Sequence, residues 1–190
     1  LDRAGNYNLL NPTETLSATI TKKDLVVHAG GITVSKVYDG TTSIANANVT
    51  IGAGALMGGS TSESDGRYIG TENVTLEVAA GGVFTSKEVS AGNQGVSTTV
   101  QLVAGNAVNG NYELRAQPSL TGTITAKDLG VFNALVTTKT YDGTADADIT
   151  GAILQDVAVG AGNAGDGKYY TGDAVTLGNE LTGTFVSRNV

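Results

Sequence analysis

Lys36-Val37-Tyr38-Asp39-Gly40-Thr41 is answered 103 residues later by Lys139-Thr140-Tyr141-Asp142-Gly143-Thr144. A self-match at a domain-sized interval decides the architecture before any local reading, because it makes the chain a tandem array. The landmarks around this box return in the same order. Asn6-Tyr7-Asn8-Leu9 is followed by Leu16, Ala18, Ile20 and Lys23-Asp24-Leu25; Asn111-Tyr112-Glu113-Leu114 is followed by Leu120, Gly122, Ile124 and Lys127-Asp128-Leu129. Gly66-Arg67-Tyr68, Val74-Thr75-Leu76 and residues 84–89 return as Gly167-Lys168-Tyr169, Val175-Thr176-Leu177 and residues 185–190, now at an interval of 101. The small length differences are expected in loops, where folded modules tolerate them. The matches divide the chain into 1–25, the closing strands of a preceding repeat; 26–129, a complete repeat; and 130–190, a following repeat that stops partway.

Inside each repeat the apolar residues alternate. Leu16, Ala18 and Ile20, then Val74, Leu76 and Val78, then Val96, Thr98, Val100 and Leu102 follow the two-residue period of half-buried strands. Ile32 with Val34 and Val49 with Ile51 add two more, 4–9 read as a turn entering a strand, and Asn109-Gly110 signals a tight turn. Residues 42–48 and 145–148 are the only helix candidates, of one turn at most. The expected fold is all-β: tandem β-sandwich (Ig-like) repeats of about 103 residues. The alternative is a β-grasp-like repeat, which requires one of those short stretches to be a true helix.

Composition narrows the function. Of 190 residues 40% are hydrophobic but only 5% aromatic, and 27 glycines supply many turns. The net charge of −7 is dispersed, which argues against nucleic acid or an anionic membrane surface as partner. No apolar run reaches the ~20 residues of a membrane-spanning helix, so no membrane insertion is expected. With no cysteine there is no disulfide or thiol chemistry. The chain opens at Leu1 without a leader pattern, so targeting signals are expected elsewhere in a longer parent.

Turn chemistry accounts for the box. Tyr38 and Tyr141 are expected to bury their rings at the end of the module with the hydroxyl on backbone. Asp39 and Asp142 bond locally, and Gly40 and Gly143 take positive φ. The competing reading makes Tyr and Asp a surface site for sugar. Lys36 and Lys139 are expected at the surface, which leaves no repeated buried Lys, Asn and acid trio for an isopeptide crosslink.

Asp65, Glu72, Asp142, Asp146, Asp148, Asp166 and Asp173 raise the question of calcium, but each lies in a turn-rich setting and no Asp-x-Asp-x-Asp-Gly loop is present. No cofactor is expected, calcium being the one weighed. His28 stands alone and reads as a strand residue. Tyr68 and Tyr169 match each other and read as core, whereas Tyr170 replaces Ile69 and is the candidate glycan contact. No acid–base or nucleophile pair appears, so no catalytic residue and no enzyme activity is expected.

The Tyr-Asp-Gly-Thr box, the Gly-x-Phe-x-x-x-x-Val segment at Gly82 to Val89, the Gly-Asn-Tyr-x-Leu segments and the Thr-Ile-Thr-x-Lys-Asp-Leu junctions together resemble the YDG repeats of large bacterial exoproteins. The likeness is to filamentous-haemagglutinin-like adhesins of Gram-negative bacteria exported by two-partner secretion, and it spans nearly the whole chain. It implies an extracellular, cell-surface, array-forming module without catalysis, and it supplies no site residues. The junctions pass from repeat to repeat through Lys-Asp-Leu with no Gly/Ser/Pro linker, so neighbouring repeats are each other's first partners and a semi-rigid stalk is expected. The alternative is a module that itself binds exopolysaccharide or host glycan through its Gly-rich loops, 52–66 and 160–167. The incomplete end repeats also suggest head-to-tail strand exchange between molecules.

Overall fold

The computed structural model describes residues 16–178 and 181–189. The expected turn and strand at 4–9 lie outside them. The class is all-β: among the described residues there is no α-helix, only three-residue 3-10 turns. Residues 42–48, one of the two helix candidates, give the short strand Ser43–Ile44 and the turn Asn46–Asn48, and 145–148 run into a strand, so neither supplies the helix a β-grasp sheet needs.

The main body is one six-stranded mixed sheet. In chain order its strands are β2 (Ile32–Val37), β3 (Ser43–Ile44), β4 (Val49–Ile51), β5 (Leu76–Phe84), β6 (Ser90–Leu102) and β8 (Leu120–Thr125). They are ordered β3-β5-β6-β8-β2-β4 across the sheet. The interior β2–β8 pair is parallel, Val34 opposite Gly122 and Lys36 opposite Ile124; the other pairs are antiparallel. The two edge strands, β3 and β4, are neighbours in the chain, separated only by residues 45–48. So short a link draws the edges together, and the sheet curls into a nearly closed, barrel-like wall. This is a single wrapped sheet where two facing sheets were expected. Register shifts along β5 and β6 supply the bend a flat sheet lacks.

The inward faces meet in one core of Leu25, Val27, Ile32, Val34, Ile44, Val49, Phe84, Val100, Tyr112, Leu120 and Ile124. Phe84 fills the space that Gly122 leaves: a Cβ there would stand 2.7 Å from the ring and 2.8 Å from the Val34 carbonyl oxygen. Thus the strand most central to the sheet carries a glycine for close approach. Two outer strands, β1 (Lys23–Leu25) and β7 (Tyr112–Leu114), pair in parallel beside the barrel. The expected tight turn at Asn109-Gly110 is the 3-10 turn Asn109–Asn111, leading into β7 rather than closing a hairpin. Buried Asn109 there donates to the Thr75 and Val103 carbonyls and pins the loop.

Residues beyond 129 build smaller sheets. β9 (Leu135–Val136), β10 (Asp146–Thr150) and β13 (Thr182–Thr184) form one in the order β13-β10-β9, and β11 (Asp156–Val157) pairs in parallel with β12 (Tyr169–Tyr170). The alternating stretch Leu16 to Ile20 forms no strand: Leu16 is 84% and Ile20 99% exposed. Their matches, Leu120 and Ile124, are buried in β8. The strand expected at 16–20 is therefore not formed: alternation gives a strand only where a partner strand pairs with it, and none does so among the described residues.

Phe84→Ala should lower stability by about 3–5 kcal/mol, since a fully buried ring is lost and a cavity is left against Gly122. Urea denaturation checks this; a loss under ~1 kcal/mol would mean the barrel collapses to fill the space.

Candidate functional site

The pleat of β2 turns Ile32, Val34 and Lys36 to the same, inner side. That parity carries a lysine into the barrel end, so the expected surface position of Lys36 is overturned: its side chain is 4% exposed. Its ammonium donates to Asp39 Oδ1 at 2.7 Å, to the Thr41 carbonyl at 2.7 Å and to the Ser43 carbonyl at 2.9 Å. With the Thr41 hydroxyl a further acceptor at 3.3 Å, every ammonium proton has an acceptor, the condition under which a buried ammonium is tolerated. It also stands 5.8 Å from the centre of the Phe84 ring.

Asp39 Oδ1 accepts the Thr41 amide and hydroxyl, both at 2.9 Å. Burial alone would raise its pKa, but the Lys36 and Thr41 bonds outweigh it and hold the carboxyl below its ordinary value. Gly40 sits at φ +77, where a side chain is disfavoured. The second box has the same plan. Lys139 bonds Asp142 at 2.9 Å and the Thr144 hydroxyl at 2.7 Å, Asp142 accepts the Thr144 amide at 2.9 Å, and Gly143 takes φ +83. The Thr144 amide, then the Lys139 ammonium, bring the Asp142 carboxyl down to about 2.

The tyrosines part company. Tyr38 is partly buried, and its hydroxyl bonds side chains rather than the expected backbone. It donates to Asp173 Oδ2 at 2.8 Å and accepts from the Lys87 ammonium at 2.8 Å. Lys87 also reaches Asp173 Oδ1 at 3.4 Å and lies 5.2 Å from the Tyr38 ring centre. Burial and the Asp173 carboxylate raise the phenol's pKa against the opposing pull of Lys87.

The Tyr38 ring meets Tyr170 edge-on, centroids 5.9 Å apart, and Lys127 lies 5.4 Å from the Tyr170 ring on its way to Asp166. Tyr170 is therefore 2% exposed, and the surface position expected of it as a candidate glycan contact is not the one it takes. Tyr141, by contrast, is 59% exposed. Tyr68 packs on the core as expected. A largely apolar slot of about 210 Å³ between Tyr38, Leu129, Tyr170, Asp173 and Val175 marks the seam between the barrel and the residues beyond 129.

Two ion pairs escaped the sequence reading. Lys23 donates to Asp65 Oδ1 at 3.0 Å and to the Ser62 and Glu63 carbonyls; Lys127 donates to Asp166 and to the Asn163 carbonyl. In both, the carboxylate also accepts amides of its own loop, from Thr61, Ser62 and Arg67 to Asp65 and from Asn163 and Lys168 to Asp166. The Lys127 bond and the Lys168 amide lower the Asp166 carboxyl to about 2. At Asp65, desolvation works upward but is outweighed by the Thr61, Arg67 and Lys23 bonds, and the net shift is downward. The sequence did carry a signal for both: Lys-Asp-Leu and Asp-Gly-Arg/Lys-Tyr each recur, so opposite charges repeat together.

His28 lies just before a 3-10 turn rather than in a strand, its amide bonded to the Ala55 carbonyl at 2.9 Å. Asp146 and Asp148 are exposed on β10. No cluster of three or more His, Cys, Asp or Glu side chains placed to hold a metal ion occurs among the described residues. The arrangement can hold loops and a seam in place. Comparison with protein-family models, curated proteins and solved structures returned no match.

Two outcomes follow from these bonds. Lys36→Met should cost about 3 kcal/mol, the low end for breaking a buried pair because Asp39 is half-exposed; Lys139→Met should cost clearly less, its side chain being 24% exposed. Paired denaturation curves compare them. Asp166 has its folded pKa held below the ordinary 3.8, so its stabilisation is present above about pH 4 and lost as pH falls toward 2. Asp166→Asn should therefore lower Tm at pH 7 and converge on the unaltered protein near pH 2, as thermal melts across that range will report.

Proposed function

We propose that the chain is a run of neighbouring spacer modules from the stalk of a large secreted or surface-anchored bacterial adhesin, of the YDG-repeat kind. In this reading it supports attachment to cell surfaces or biofilm matrix from outside the cell and does no catalysis. The observation that carries the reading is the seam at Tyr38. One aromatic pair, a Lys87–Tyr38–Asp173 cluster and Lys127 beneath the Tyr170 ring join residues 26–129 to those after 129.

The connecting chain, Thr125-Ala126-Lys127-Asp128-Leu129, has no flexible linker. Lys127, from that connection, is itself anchored to Asp166 in the following segment. A seam with side-chain contacts on both flanks of a short connection restricts the angle between neighbours. Tandem repetition is supported by the doubled lysine-centred turns, Lys36–Asp39 with Lys139–Asp142 and Lys23–Asp65 with Lys127–Asp166. The alternative, a repeat that binds exopolysaccharide or host glycan, loses its aromatic platform with Tyr170 turned into the seam.

Stiffness at the seam is the test. The chain has no cysteine, so Gln101→Cys and Thr176→Cys give two unique labelling positions, one on each side. Single-molecule fluorescence transfer should return one narrow distance distribution, broadened by Asp173→Ala. A broad distribution in the protein with Asp173 intact overturns the spacer reading, and binding on a glycan array would favour the alternative.

A further inference from the structure

Residues 26–129 begin their main sheet with β2 and end it with β8, and these two strands lie side by side and parallel, Val34 opposite Gly122 through Val37 opposite Thr125. The ladder runs one bond further, the Tyr38 amide donating to the Thr125 carbonyl at 2.8 Å. Parallel pairing of the first and last strands decides how tension acts on them. A pull from the N-terminal side reaches β2 at its Val34 end, and a pull from the C-terminal side reaches β8 at its Thr125 end, the opposite end of the ladder. Such tension drags the strands lengthwise past each other, so the evenly spaced bonds between them carry it together. The outer pair has the same sense. β1, which precedes β2, is parallel to β7 with Lys23 opposite Tyr112, and the Arg115 amide extends that ladder to the Leu25 carbonyl at 3.0 Å.

Both ladders also resist slipping in register. A one-residue slip of β8 would turn buried Leu120 and Ile124 out of the barrel and bring Thr121 and Thr123 in. A two-residue slip toward the C-terminus keeps the faces but brings Leu120 to the place of Gly122. Even a Cβ there would stand 2.7 Å from the Phe84 ring and 2.8 Å from the Val34 carbonyl oxygen. β2 is held from its own side, since the Lys36 ammonium bonds the Ser43 carbonyl and Ser43 belongs to β3, which pairs with β5. β7 is anchored by Tyr112, whose buried hydroxyl accepts the Ile69 amide at 3.0 Å and donates to Glu72.

We infer that this module bears tension along the chain, with β2–β8 and β1–β7 acting as two clamps loaded in shear. The inference goes beyond the spacer reading, which concerns the stiffness of the seam and not the strength of the module. The same sheet holds its own contrast. β6 and β8 are antiparallel, with Ser90 opposite Ile124. A pull on those neighbouring ends therefore peels β8 away bond by bond, and each bond by itself is weak. One fold thus opens readily in one direction and resists in the direction its own chain is pulled.

Optical tweezers on the full chain test this through pulling direction alone. The chain has no cysteine, so paired substitutions at exposed positions give unique handles. Lys22→Cys with Asp128→Cys loads both ladders in shear, whereas Glu88→Cys with Asp128→Cys peels β8 from its Thr125 end. The force that releases the residues between the handles should be about twofold or more higher in the first direction, where the bonds of a ladder must break together. Equal forces in the two directions, or a higher force on peeling, overturn the inference. The fluorescence width across the Tyr38 seam is read without load, so the two readings fail separately. Equal forces with a narrow width remove the clamps and leave the spacer reading standing; direction-dependent forces with a broad width do the reverse.

Discussion

The structure depends on lysine ammonium groups that are taken out of water and matched to turns. Lys23, Lys36, Lys127 and Lys139 each reach a carboxylate that already accepts amides from its own loop. With only 5% aromatic residues and strands mostly of two to six residues, the chain has little apolar surface with which to hold long loops against the sheet. An ammonium with three directional donors does what side-chain area cannot: it fixes several loop carbonyls at once. The arrangement is tolerable energetically because neither ion is left unmatched, the condition on which buried pairs otherwise fail. It also explains why the box keeps its spacing. Lysine, aspartate and threonine must fall three and two residues apart for one ammonium to meet the carboxylate and the turn's own acceptors.

The second tyrosine of the chain's repeated box shows what the first is for. Tyr38 and Tyr141 sit in the same kind of turn, with the same lysine and aspartate behind them. Tyr38 is covered and bonded because Tyr170 and Asp173 stand across from it; Tyr141 has nothing across from it among the described residues and is left exposed. The turn therefore does not need its tyrosine to fold. The ring packs on the edge of the core and its hydroxyl completes a seam, which is why a corner hydroxyl bonded to local backbone was the wrong expectation. The hydroxyl serves a neighbour 135 residues away instead.

Strand positions were legible because alternation is local: Ile32 and Val34, Val49 and Ile51, and Val96 to Leu102 all lie in strands where the two-residue period put them. The turn residues of the box were legible for the same reason. How the strands close was not. A sandwich and a curled sheet use the same alternation, and the difference lies in pairings such as β2 with β8, which join Val34 to the distant Gly122. The inward lysine was partly legible, since Lys36 follows Ile32 and Val34 at even spacing, but the preference of lysine for water outweighed parity in the reading. At Tyr170, replacement of Ile69 suggested exposure, whereas the substitution reflects a different partner across the seam. Exposure is a property of what packs on a residue, and one sequence position does not encode it.

The pairings that follow the two boxes are made by different numbers of strands. In the barrel, β3 pairs with β5 and β4 pairs with β2, and residues 45–48 separate β3 from β4. In the later segment one continuous strand does both jobs: the first half of β10 pairs with β13 and the second half with β9. Asp146 and Ala147 stand opposite Thr184 and Gly183 as Ser43 and Ile44 stand opposite Val83 and Gly82. The 3-10 turn at Asn46–Asn48 thus separates two pairings that the later segment makes with one unbroken strand.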